Sequence, residues 1–173
     1  KELEHNRHPE IVAPAGDISA LVSAVKFGAD AVYFGLKEFT ARMRADNFSI
    51  RDARDALHFL HERGKKGYLA LNILFKNDEI NRLIEMLADI AQAGFDGVII
   101  QDLGLYRLIH AYFPSIPLHA STQMACYTLD GALQLQEMGF KRVVLSRELT
   151  FDEIRDIREG TRIELEVFVH GAL

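Results

Sequence analysis

Cysteine is almost missing from these 173 residues: the one present is Cys126. A lone thiol closes no intramolecular disulfide, so a disulfide-stapled scaffold is excluded. Tryptophan is absent, and proline and glycine occur only 4 and 12 times, which excludes collagen-like and Pro/Gly-rich low-complexity classes. Neither a signal-like N-terminus nor a run of ~18 apolar residues is visible. The expectation is a protein of a reducing cytoplasm, away from membranes. Positive charge is also in deficit, with 20 Lys and Arg against 25 Asp and Glu, net −5 and pI ≈ 5.8. Overall charge therefore does not draw the molecule to polyanions, and nucleic-acid binding would need a local basic patch.

What is present suffices for a packed core. Hydrophobic residues make up 49% and charged ones 26%, and a chain this long buries roughly 70% of its unfolded surface. The length fits one ordinary domain but falls short of the ~250 residues of a closed (β/α)8 barrel.

Short runs rich in Val and Ile alternate with segments of helical period. The runs start at Ile11, Ala31, Tyr68, Val98, Leu118, Val143 and Leu165, the last extending to Val169. Ile80, Leu83, Ile84, Leu87 and Ile90 carry the three/four spacing of one buried helix face. Polar caps are expected to open helices at Asp17, Ser49, Asn77 and Thr150, the last with Glu153 as a capping box. Glycines are expected to close them at Gly28, Gly64, Gly94, Gly139 and Gly160. Gly28-Ala-Asp-Ala-Val32, Gly94-Phe-Asp-Gly-Val98 and Gly139-Phe-Lys-Arg-Val143 echo one another, as a repeated βα unit would. No Gly-x-Gly-x-x-Gly turn follows the first strand, so a parallel (β/α) TIM-like barrel is favoured over a Rossmann-type sheet. Residues 1–8 read as a lead and 9–173 as one barrel domain, seven strands visible and its C-terminal part lacking.

In such a barrel the chemistry sits at the C-terminal ends of the strands. Strand alternation is expected to point Glu164, Glu166, Phe168 and His170 at the barrel axis, and Arg147 on the preceding strand is placed to meet Glu166. His119, Ser121 and Gln123 share one face of the fifth strand; Asn72 and Gln101-Asp102 end the third and fourth. For Arg147 and Glu166 a purely structural ion pair is the alternative, for Asp102 a helix cap, and for Asn72 a loop tie. The Gly35–Asn47 loop carries Arg42 and Arg44, which could clamp a carboxylate or phosphate, or else lie on a solvated surface. Lys65-Lys66 and Lys141-Arg142 are read as solvated charge at the opposite, stability face. His58-Phe-Leu-His61-Glu62 has the wrong order for the zinc motifs, and no nucleophile elbow or Walker loop occurs. Cys126 reads as a buried or half-buried thiol.

Pro9-Glu-Ile-Val-Ala-Pro-Ala-Gly16-Asp17, Gly28-Ala-Asp-Ala-Val-Tyr-Phe-Gly35, Phe39-Thr-Ala-Arg42-Met-Arg44-Ala-Asp-Asn47-Phe48, His61-Glu-Arg-Gly-Lys-Lys66, Leu145-Ser-Arg-Glu-Leu149 and the closing Glu166-Val-Phe168-Val-His170-Gly171-Ala172-Leu173 together resemble the peptidase U32 family. The resemblance implies a TIM-like barrel and a choice of chemistries: hydroxylation of tRNA uridine or rRNA cytidine, hydroxylation of ubiquinone precursors, or collagenase-like proteolysis. It also implies an iron–sulfur cluster in several of the hydroxylases, held by cysteines beyond the position of Leu173, and prephenate as oxygen source for the tRNA enzymes; no cofactor is expected in this chain. An RNA hydroxylase is favoured for the full-length protein, because no nucleophile, zinc motif or paired-carboxylate signature supports a peptidase. A non-catalytic subunit is the third reading. Arg147, Glu166 and His170 are the expected catalytic groups. Arg42, Arg44, Asn72, His119 and Gln123 are expected to bind the substrate, RNA or a small molecule, or peptide in the alternative.

Overall fold

The computed structural model describes residues 8–37 and 48–171. Seven strands, β1 (Val12–Pro14), β2 (Ala31–Gly35), β3 (Lys66–Leu71), β4 (Gly97–Ile100), β5 (Leu118–Ala120), β6 (Arg142–Val144) and β7 (Glu164–Glu166), form one all-parallel sheet. Each strand pairs with its neighbours in sequence. Six helices separate them: α1 (Ile18–Lys26), α2 (Ile50–His61), α3 (Ile80–Ala93), α4 (Leu103–Tyr112), α5 (Leu129–Glu137) and α6 (Phe151–Gly160). Right-handed crossovers of this kind curl a twisted sheet round its own axis. The curl is deep enough for Glu10, just before β1, to reach Arg142 on β6 at 2.9 Å. Among the described residues β1 and β7 remain the sheet's two edges. The fold is thus a TIM-like barrel, seven strands of it, unclosed.

The alternation of each strand divides its residues between two cores. Val32, Phe34, Leu69, Leu71, Val98, Ile100, Leu118, Ala120, Val143 and Leu145 join the helices in the main apolar cluster. The opposite parity faces the axis, where Ala31, Tyr68 and Ile99 form a second, smaller cluster with Val12 and Tyr33 against it. Gly97 is an inward position by the same parity, and a Cβ there would lie 2.4 Å from the His119 ring. The glycine makes room for the imidazole inside the barrel.

The helix punctuation follows the sequence at most sites. Asp17, Ser49 and Thr150 cap α1, α2 and α6, the last two through capping boxes with Asp52 and Glu153. Asn77 does not cap α3. It opens a 3-10 turn over Asn77–Glu79, and the Glu79 carboxylate instead accepts the Lys76 amide at 2.8 Å. Gly28, Gly64, Gly94 and Gly139 carry positive φ, the left-handed conformation that favours glycine. Gly160 does not: it ends α6 inside the helix, where a Cβ would meet the Leu129 side chain at 2.4 Å. Close packing, not chirality, calls for that glycine.

The last strand departs from expectation. It ends at Glu166 and not at Val169, so His170 lies four residues beyond it and exposed. Pairing with β6 supports only Glu164–Glu166, in register with Arg142–Val144.

Candidate functional site

The C-terminal ends of β3, β4 and β5 are joined by amide side chains. Gln101 Nε2 donates to the Asn72 carbonyl at 2.8 Å, and Asn72 Nδ2 donates to Gln123 Oε1 at 3.0 Å. Such links order the rim of the mouth. Inside the rim lies a cavity of about 80 Å³. Its floor is apolar, from Ala70, Ile99 and Val144; Tyr33 and Phe168 supply rings, and Asn72, Ser121, Thr122 and Glu166 supply polar atoms. A larger depression of about 430 Å³ lies among Leu36, Phe48, Arg82 and Asp89, outside the barrel axis. Because (β/α) barrels carry their chemistry at the strand ends, the smaller, axial cavity is the candidate site.

Below the cavity the interior is ionic. Arg142, with 7% of its side chain exposed, holds Glu10 at 2.9 Å, Glu164 at 2.7 Å and Glu166 at 3.2 Å. Its guanidinium lies over the Tyr68 ring, 4.9 Å from the centroid. The Tyr68 hydroxyl donates to Glu10 at 2.6 Å, and Lys66 Nζ meets the other Glu10 oxygen at 2.6 Å. Burial opposes ionisation of Glu10, but Lys66, Tyr68 and Arg142 overcome it and hold the carboxyl down at about 2. Glu166 moves the other way: burial raises it, and the Arg142 charge only partly compensates. Burial also raises the Tyr68 phenol, reinforced by its bond to Glu10.

His119 sits in this lower layer, 3% exposed, edge-on to Tyr68 at 4.9 Å. Its Nδ1 has no hydrogen-bond partner among the described residues. Burial, with Arg142⁺ nearby, depresses the imidazole to about 3, so it is neutral. It does not line the cavity.

The structure therefore sorts the expected site residues. Glu166 and Asn72 line the cavity, and Gln123 binds Asn72 at its rim. Arg147 does not pair with Glu166. The inward parity of β6 belongs to Arg142, Val144 and Ser146, so Arg142 takes that carboxylate, while the Arg147 guanidinium covers the Phe168 ring at 4.6 Å. Arg42 and Arg44 lie outside the described residues. Asp102 caps α4, accepting the Leu105 amide at 2.7 Å. Lys66 and Arg142 do begin β3 and β6, at the end of the barrel opposite the mouth, and Lys66 is half exposed, but Arg142 is buried and is not a solvated charge. Both stand at inward positions of strands that begin earlier than the apolar runs suggest, and both meet Glu10. The available signal was carboxylates at matching parity on β7. Cys126 is buried, its thiol raised by that burial, with its S–H directed at the Thr128 carbonyl 3.9 Å away. Among the described residues no three His, Cys, Asp or Glu side chains could hold a metal ion, and no helix is long and apolar enough to cross a membrane.

An unclosed parallel (β/α) barrel with a small cavity at its C-terminal mouth and an ionic layer centred on buried Arg142 beneath it defines the class: TIM-like barrel proteins. Within that class, the model of peptidase family U32 matches residues 16–173, and the chain belongs to that family. It is 40% identical over 164 residues to the 23S rRNA 5-hydroxycytidine C2501 synthase of Escherichia coli (strain K12), covering 95% of this chain and 24% of that protein. It is 37% identical over 166 residues to the tRNA hydroxylation protein P of the same organism, covering 95% and 37%. The chain thus spans about a quarter to two fifths of the length of these relatives. Among solved structures, the U32 peptidase Mk0906 superposes with a TM-score of 0.76 at 16% identity, over 96% of this chain and 71% of that one.

Proposed function

We propose that this chain is the barrel portion of an RNA nucleobase hydroxylase that acts on uridine or cytidine in tRNA or rRNA, in the cytoplasm. The observation that carries the reading is identity of 37–40% across 95% of the chain to rRNA and tRNA hydroxylation proteins. The mouth cavity is compatible with it. Its rings, Tyr33 and Phe168, can stack on a planar base, and Asn72 and Glu166 offer groups to the base edge. Glu166 is the proposed catalytic group, with Asn72 and Gln123 as substrate-binding groups. Arg147 and His170 lie just past the ends of β6 and β7, where they can meet phosphate or a small carboxylate such as prephenate.

The residues described here do not fit an iron–sulfur cluster, because the only cysteine is buried and no second thiol accompanies it. No step is therefore routed through a cluster. Iron and sulfide analysis of the full-length protein purified without oxygen tests whether one is present elsewhere.

Mass spectrometry of RNA nucleosides from a deletion strain is the decisive experiment. Loss of one 5-hydroxypyrimidine, restored by the wild-type gene and not by Glu166→Gln, is expected. An unchanged nucleoside profile would overturn the reading. Collagenase-like proteolysis is the second reading, favoured by the fold likeness to the U32 peptidase Mk0906. Gelatin digestion that persists through purification and is lost in Glu166→Ala would support it.

A further inference from the structure

The three carboxylates on Arg142 are unequal, and the inequality points at the cavity. Glu10 accepts hydrogen bonds from Tyr68, Lys66 and Arg142. Glu164 takes two bonds from the guanidinium, at 2.7 and 3.0 Å, and 62% of its side chain is open to water. Glu166 has a single bond of 3.2 Å and is 17% exposed. Of the three, only Glu166 also lines the mouth cavity. Two cations, Arg142 and Lys66, thus stand against three carboxylates. The shortfall falls on the one carboxylate of the three that lines the mouth cavity.

We propose that Arg142 is the positioning residue of this site: its guanidinium, gripped from below by Glu10 and Glu164 and packed on Tyr68, fixes the orientation of the Glu166 carboxylate in the cavity wall. The inference rests on the reading of Glu166 as the group that meets the substrate. Arginine suits the task. Its planar fork offers five donors in fixed directions and never loses its charge, so one side chain can span three carboxylates and hold each at a set angle. Glu10 and Glu164 act as competitors. The more of the guanidinium they occupy, the less is left for Glu166, and the more readily Glu166 takes a proton. The other titratable groups facing this carboxylate through the interior are Tyr33 on β2, Lys66 and Tyr68 on β3, and His119 on β5. Buried between Tyr68 and Gly97, His119 is neutral and adds no competing charge.

The test is the carboxyl titration of Glu166 in the full-length protein, followed by ¹³C NMR and assigned by the signal lost in Glu166→Gln. Arg142→Gln is expected to raise its midpoint by about one pH unit or more, the usual effect of losing an opposite charge at this range. Glu164→Gln is expected to lower it, because the guanidinium is then shared between two carboxylates. Glu164 is largely exposed, so this variant folds even if Arg142→Gln does not. Arg142→Lys, which keeps charge and loses the fork, should leave the midpoint near wild type while RNA hydroxylation in the complemented deletion strain falls at least tenfold. An unmoved midpoint in Glu164→Gln, or full hydroxylation by Arg142→Lys, overturns the positioning role even if the strain confirms RNA hydroxylation. Coupled titration with hydroxylation intact in Glu166→Gln overturns the inference through its premise, the placing of Glu166 against the substrate.

Discussion

Replacing His119 with phenylalanine should make the protein less sensitive to mild acid. The imidazole is 3% exposed and held to about 3, against an unperturbed value of 6.5. Between these values the unfolded chain binds a proton that the folded chain refuses, so stability falls as pH drops through 6.5 and is restored as pH rises. One full proton of difference gives a slope of about 1.4 kcal/mol per pH unit. Integrated from pH 7 to pH 5, where the unfolded imidazole goes from mostly neutral to mostly charged, the loss is about 2 kcal/mol. Phenylalanine keeps the packing against Tyr68 and Gly97. It also removes Nδ1, which makes no hydrogen bond among the described residues, so it should cost little at pH 7. Urea unfolding followed by circular dichroism at pH 7, 6 and 5 measures the difference directly. The wild type should lose about 2 kcal/mol more than the variant across that range. Equal losses in both proteins would refute the reasoning, because they would mean that His119 charges in the folded state as easily as in the unfolded one.

Glu10 governs a lower window. Its carboxyl is held at about 2, against 4.5 unperturbed, so its contribution is fully present above pH 4.5 and lost as pH falls toward 2. Glu10→Gln should flatten acid unfolding between those limits and leave the pH 5–7 range unchanged. Gly97→Ala drives a Cβ into the His119 ring and should cost about 1–3 kcal/mol by overpacking; His119→Ala in the same chain should recover most of it, giving a coupling energy in a double-mutant cycle. Thr150→Ala removes the hydroxyl that accepts the Glu153 amide at 3.4 Å and donates to its carboxylate at 2.7 Å. The expected loss is about 1 kcal/mol in urea midpoint measurements.

The first six strands were legible in the sequence to within two residues, and the seventh everywhere but at its end, since runs such as Ala31-Val32-Tyr33-Phe34 pack apolar side chains on both faces and hold little else. Caps such as Thr150 with Glu153 were equally plain, because capping is a contact over three residues. The mouth was legible in part. Asn72 and Gln123 meet as the common face of the strand ends implies, and Glu166 reaches the cavity. Its partner was misread because the sequence shows Arg142 beside Lys141 after a helix end, which resembles surface charge. Whether a strand begins at Arg142 or at Val143 decides which arginine points inward, and apolar content cannot fix that single residue. His170 was placed on the axis by extending β7 past the point where β6 stops pairing with it.

Local and periodic information therefore determined the parallel βα order, most helix ends and the gathering of polar side chains at one end of the strands, because these depend on neighbours a few residues apart. Only the tertiary structure decided which charges meet inside. Glu10, Lys66, Arg142 and Glu164 are separated by up to 154 residues of chain, and they come together because the curl of the sheet brings the residue before β1 and the first residues of β3, β6 and β7 to one layer. A buried guanidinium is tolerable only where several carboxylates converge on it. That convergence exists in the folded barrel and nowhere in the linear sequence.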